Sequence, residues 1–177
     1  MGGRQMKTKI LLLTIIISFG FTGKMWVAYD FSWDVELSAY GDSYGDDADS
    51  GALIIGYESS VSNNISYGAS YDIIGAAFDD YYSGWDAQMI NLYAKYHMPI
   101  NDDMSGWASL GYSIPTGDFD FVDSGLSYGF GVSQPSGLGF YYIINNLESS
   151  EMMYGYYGYY DVNVDVTVTR MGLSYSF

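Results

Sequence analysis

The 177-residue chain has no cysteine, three prolines, one histidine and only six lysines and arginines. Without cysteine there is no disulfide scaffold and no thiolate metal site. Arg4, Lys7, Lys9, Lys24, Lys95 and Arg170 face 21 acidic residues, all from Asp30 onward, giving a formal net charge of −15. A chain so charged repels phosphate backbones, which excludes nucleic acid as a partner. A long hydrophobic run is also missing. The one apolar stretch, residues 10–17, falls short of the roughly 20 residues a membrane-crossing helix needs.

What the chain does contain is aromatic and small: 20 Tyr, 22 Gly and 19% aromatic residues overall. That combination disfavours both a disordered chain and a helical membrane protein. Lys7 and Lys9 precede the apolar run, and Ser18-Phe19-Gly20 follows it with small residues where a signal peptidase inspects them. Residues 1–28 therefore read as a signal peptide cleaved after about Gly20, or at a weaker point after Ala28. The remaining 29–177 form one domain.

Within that domain, eight segments alternate apolar and polar residues with period two, the signature of strands. They fall at about 29–40, 52–61, 65–75, 87–98, 107–114, 125–133, 138–146 and 161–177. Asn63-Asn64, Asn101-Asp102-Asp103 and Pro135-Ser136-Gly137 supply three tight turns. Long connections at 42–51, 78–86, 116–124 and 147–160 alternate with them. The polar side of the strands is rich in Gly and Ser, suited to a narrow interior, and the other side in Tyr, Phe and Leu. A water-soluble barrel would reverse these faces. The expectation is an all-β, eight-stranded, antiparallel up-and-down transmembrane β-barrel in the bacterial outer membrane, since roughly 9–11 residues per spanning strand fit this length.

The last segment carries the strongest local signal. Met171, Leu173, Tyr175 and Phe177 share one side, with Arg170, Gly172, Ser174 and Ser176 on the other. Together with the Gly-alternating run 123–132, it resembles the closing strands of the small outer-membrane barrel family that includes the OmpA transmembrane domain and the OmpX/Ail and opacity-type proteins. The resemblance implies that these four residues are an assembly signal read by the barrel-assembly machinery. It also implies contact with outer-membrane lipid and lipopolysaccharide, and a role as structural protein, adhesin or weak pore. Further up the same segment, Val162, Val164, Val166 and Val168 take the opposite parity. Either a β-bulge near 168–170 resets the register or these valines lie beyond the bilayer.

Six charged residues fall on expected inward faces: Asp34, Glu36, Glu58, Asp72, Lys95 and Arg170. Charges in a narrow lumen need partners, so an ion-pair network that plugs the barrel is expected. His97 is inward near a short turn, on the wrong side for a lipid-modifying enzyme acting on lipopolysaccharide. The acidic loop Asp42, Asp46, Asp47, Asp49 lacks the glycine and glutamate positions of a calcium loop, so a solvated acidic loop is the expectation, with loose binding of divalent cations as the alternative. The functional expectation is a monomer with neither enzyme activity nor cofactor. It would serve a structural or adhesin-like surface role at the cell surface through acidic, Tyr-rich external loops. A small pore for ions or solutes is the alternative and a lipid-modifying enzyme a distant third.

Overall fold

A computed structural model describes residues 23–39, 42–78, 85–155 and 158–177. The expected signal segment lies outside them. Ten strands appear: β1 (Lys24–Ala39), β2 (Asp42–Asp47), β3 (Leu53–Ser60), β4 (Ile65–Ile74), β5 (Ala76–Phe78), β6 (Trp85–Asn101), β7 (Met104–Gly117), β8 (Asp123–Ser133), β9 (Leu138–Gly155) and β10 (Gly158–Ser176). Eight of them close a ring in the order β10-β9-β8-β7-β6-β4-β3-β1, with β1 pairing back to β10. Every ladder is antiparallel. The two extra strands are short continuations: β2 pairs with the upper part of β1, and β5 with the start of β6. Closure leaves the ring without the free edges that make isolated sheets stick to one another.

Parts of all four expected long connections are strand, two of them at length. Residues 42–47 pair with 34–39, and 147–155 pair with 158–166, so the barrel rises as hairpins at the long-connection end. At the other end β1 begins at Lys24, five residues before the expected start, and Trp26, Val27 and Ala28 pair with Ser176, Tyr175 and Ser174. Cleavage after Ala28 would remove those pairs. Pro99 and Pro115 also lie inside strands instead of ending them. Pro115 faces Met89, whose N–H points away from β7 to the Asp72 carboxylate, so theirs is a pair without ladder bonds and the missing proline donor costs nothing.

Outward residues of the short-turn half are apolar and exposed, among them Tyr29, Leu110, Leu126, Phe130, Phe140 and Leu173. This greasy belt is the expected lipid-facing surface. Inward residues there are Ser, Gly, a few charges and a group of larger side chains that includes Trp26, Ile54, Trp107 and Tyr141. Higher up the assignment inverts. Val166 and Val168 stay on the inward parity of β10, which has no extra residue of its own, and they are buried. They join Trp33, Val35, Phe78, Met89, Phe119 and Leu147 in an apolar cluster that fills the upper lumen. The bulge expected near 168–170 is absent: the valines are interior, and the irregularity at this seam is in β1.

That irregularity sits between Asp30 and Ser32, where Phe31 has no partner on β10. One extra residue reverses the parity of everything after it. Trp33 and Val35 therefore point inward, while Asp34 and Glu36, expected inside, lie on the outer parity. Nothing in the sequence marks the bulge, because neither Gly nor Pro stands there. Its physical gain is visible in the contacts: Asp30 and Trp33, three apart, both face the lumen, and the indole N–H of Trp33 reaches the Asp30 carboxylate at 2.7 Å.

Candidate functional site

Two cationic side chains organise the lumen. Arg170 of β10 is almost wholly buried, with Nε donating to Asp30 Oδ2 at 2.6 Å and Nη2 to Asp72 Oδ1 at 2.9 Å. The remaining carboxylate oxygens are also satisfied. Tyr141 OH donates to Asp30 Oδ1, and the backbone N–H of Met89 donates to Asp72 Oδ2 at 2.9 Å. The guanidinium also lies 4.5 Å from the centre of the Trp33 ring. Five strands, β1, β4, β6, β9 and β10, are thus tied together. Desolvating three charges is expensive, and full hydrogen bonding is what makes such a cluster tolerable. Gly172 makes room for it, since a Cβ there would sit 2.6 Å from Asp30 Oδ1.

A neutral chain crosses at similar height. The Ser113 hydroxyl lies between the side-chain amides of Asn91 and Asn145, at 2.6 and 2.7 Å, and Asn145 Nδ2 donates to the Val168 carbonyl at 3.1 Å. Above these polar rungs stands the apolar cluster. Its lid is the turn 118–122, which buries Phe119 and Val122 while leaving Asp118 and Asp120 exposed.

Towards the short turns lies the second cation. Lys95 Nζ donates to Glu58 Oε2 at 2.7 Å and stands 4.5, 4.7 and 5.6 Å from the ring centres of Trp107, Tyr93 and Trp26. Ser66 donates to Glu58 Oε1 at 2.8 Å, and His97 Nε2 lies 2.8 Å from Ser66 Oγ and 3.3 Å from Glu58 Oε1. Serine and carboxylate both meet the same imidazole nitrogen. A nucleophile relay needs them on opposite nitrogens. Around this cluster is a cavity of about 580 Å³ reaching from Arg170 to the rim at Gln134, Pro135 and Phe177.

Of the six charged residues expected to meet inside, the structure brings Arg170 to Asp72 and Lys95 to Glu58, in two separate groups. Asp34 and Glu36 join neither. Asp30, Trp33 and Tyr141 complete the Arg170 group. Asp30 and Tyr141 were readable as inward residues of their strands, whereas Trp33 was hidden by the bulge.

Among solved structures, Neisserial surface protein A shares this architecture with a TM-score of 0.52 at 13% identity, over 86% of this chain and 97% of that one. This chain has the fold of the small outer-membrane β-barrels. Ail of Yersinia pestis and OprG from Pseudomonas aeruginosa also align, at TM-scores of 0.45 and 0.46 and identities of 16% and 12%. Those alignments cover 89% of this chain in both cases, and 100% and 98% of the other chains. No protein-family model and no curated protein sequence matches the chain.

In an outer-membrane barrel the short turns face the periplasm and the long hairpins the exterior. In that orientation the cavity would open to the periplasm, and the apolar cluster with its Phe119 lid would face outward. Met171, Leu173, Tyr175 and Phe177 all lie on the lipid side of β10, with Tyr175 and Phe177 stacked at 6.5 Å. The last residue closes the ring: Phe177 N–H donates to the Met25 carbonyl at 3.0 Å. On the external side Asp42, Asp46, Asp47 and Asp49 are exposed, and among the described residues no three acidic or histidine side chains gather as a metal ion requires.

Proposed function

We propose that this barrel is a non-conducting, non-enzymatic outer-membrane protein whose tall, acidic hairpins act in structural or adhesin-like contacts outside the cell. The observation that carries this reading is the sealed lumen. Arg170, Asp30 and Asp72 bridge the axis, and the apolar cluster fills the space above them. A hydrated ion would have to cross both. The paired charges fix strand register and plug the barrel, which frees the external hairpins from any gating task. Met171, Leu173, Tyr175 and Phe177 offer the assembly machinery an aromatic outer stripe at the strand that closes the ring. The acidic hairpins meet the anionic lipopolysaccharide surface through shared divalent cations, and the barrel works as a monomer. Planar-bilayer recording of the purified barrel tests the central point. The expected result is no sustained unit current at physiological salt. Stable, solute-permeable openings would replace this reading with the pore.

A further inference from the structure

The short-turn half of the lumen has more structure than a plug requires. Its cavity of about 580 Å³ is within the range of small-molecule sites, has a roof at Arg170 and is open at the short-turn rim. One wall is the Lys95 cluster with the rings of Trp26, Tyr93 and Trp107. The same cavity is lined by hydroxyls from Ser109 of β7, the register partner of Lys95, from Ser127 of β8 and, on the far side of the ring, from Ser174 of β10. Ser127 is 5% exposed, and neither its hydroxyl nor those of Ser109 and Ser174 bonds to any described protein group. Nor are these oxygens sealed off, since Thr116 Oγ1 is the one buried side-chain polar atom left without a partner among the described residues. They are aimed at whatever occupies the cavity.

The chemistry of that occupant follows from what is already spoken for. Lys95 is bonded to Glu58 and Arg170 to two carboxylates, so the cation outside an ion pair among the described lining residues is Lys24, exposed at the rim, and a charged guest held deeper would be desolvated without compensation. An apolar guest would strip water from the serines and leave them unpaired. A guest with many hydroxyls and an apolar C–H face satisfies the serines and the rings together. We propose that this half of the lumen is a periplasm-facing binding pocket for a small, neutral, polyhydroxylated molecule of the sugar type. The site is separate from the external hairpins and does not need the lumen to conduct.

The test uses the full barrel in lipid nanodiscs, with the indole N–H signals of Trp26, Trp107 and Trp33 followed by NMR during titration with sucrose. Trp26 and Trp107 line the cavity, whereas Trp33 is sealed above it. Saturable shifts at Trp26 and Trp107 with Trp33 unmoved are expected, half-maximal at millimolar sucrose. Ser109→Ala with Ser127→Ala removes two hydroxyls without adding bulk and should weaken binding about tenfold. An unchanged Trp33 signal certifies that the variant is folded. A parallel titration with dextran separates sources: saturation by sucrose alone assigns a free sugar, and saturation by dextran assigns the end of a glycan chain. A linear response, equal binding by the variant, or saturation by toluene or inorganic phosphate in place of the sugars would overturn the proposal.

Discussion

Replacing Arg170 with methionine keeps the bulk of the side chain and removes its charge and donors. Asp30 and Asp72, both with no exposed side-chain surface, would then stay buried without their cation. They would not suffer equally. Asp30 keeps the Trp33 and Tyr141 donors, while Asp72 keeps only the Met89 N–H. Breaking a buried pair by deleting one partner costs about 3–5 kcal/mol, and the stranded Asp72 should place Arg170→Met in the upper part of that range. Neutralising all three groups, with Asp30→Asn and Asp72→Asn added, should recover at least half the loss, because no buried charge remains. The measurement is reversible urea unfolding in lipid vesicles, read from tryptophan fluorescence. A loss below about 1 kcal/mol for Arg170→Met, with no difference between the single and triple variants, would refute a load-sharing role for the cluster.

Gly172→Ala places a Cβ 2.5 Å from the Tyr141 hydroxyl and should destabilise the barrel by about 1–3 kcal/mol in the same assay, the cost of overpacking. Phe119→Ala should cost about 3–5 kcal/mol and expose the turn 118–122 to external protease, since Phe119 is the buried anchor of that lid. Lys95→Met removes the ammonium from three rings and from Glu58, whose side chain is 19% exposed and can rehydrate. Its cost should therefore stay well under that of Arg170→Met. At the exterior, partial burial and the facing Asp47 carboxylate raise the Asp34 carboxyl above its ordinary value. A raised carboxyl favours the folded hairpin in its protonated form, so amide protection along β1 and β2 should be highest at low pH and fall as pH rises through the carboxylate range. Asp47→Asn should flatten that profile.

Period-two alternation was enough to count the ring strands and turn most of their faces in the lower half, because there one rule dominates, small or polar inside and greasy outside, with Trp26, Ile54, Trp107 and Ile143 as inward exceptions. The segment 126–132 follows it without exception. The same rule misled at Trp33 and Val35. Both are apolar and were therefore assigned to lipid, yet beyond the Phe31 bulge they enter the lumen. A bulge with no glycine or proline leaves no local trace; only the partner strand reveals it. The valines of 164–168 did signal that something changes, but their parity alone could not distinguish a register shift from an apolar interior. Long connections posed a different difficulty, since Asp42–Asp47 has a loop's composition and becomes strand by borrowing the edge of β1. Pairing of Arg170 with Asp72 was within reach of the inward faces, whereas the split into two separate cation sites depended on heights along tilted strands.

The inversion at the level of Arg170 also bears on depth. Below it the barrel is apolar outside and mainly polar within; above it, Asp34, Glu36 and Asp165 lie on the outer face while valine and tryptophan fill the inside. Sinking the barrel would drag carboxylates into hydrocarbon, and raising it would lift the Leu173 and Tyr175 stripe into water. Both displacements are penalised, so the chain carries its own waterline, and a bilayer of the wrong thickness must deform to meet it.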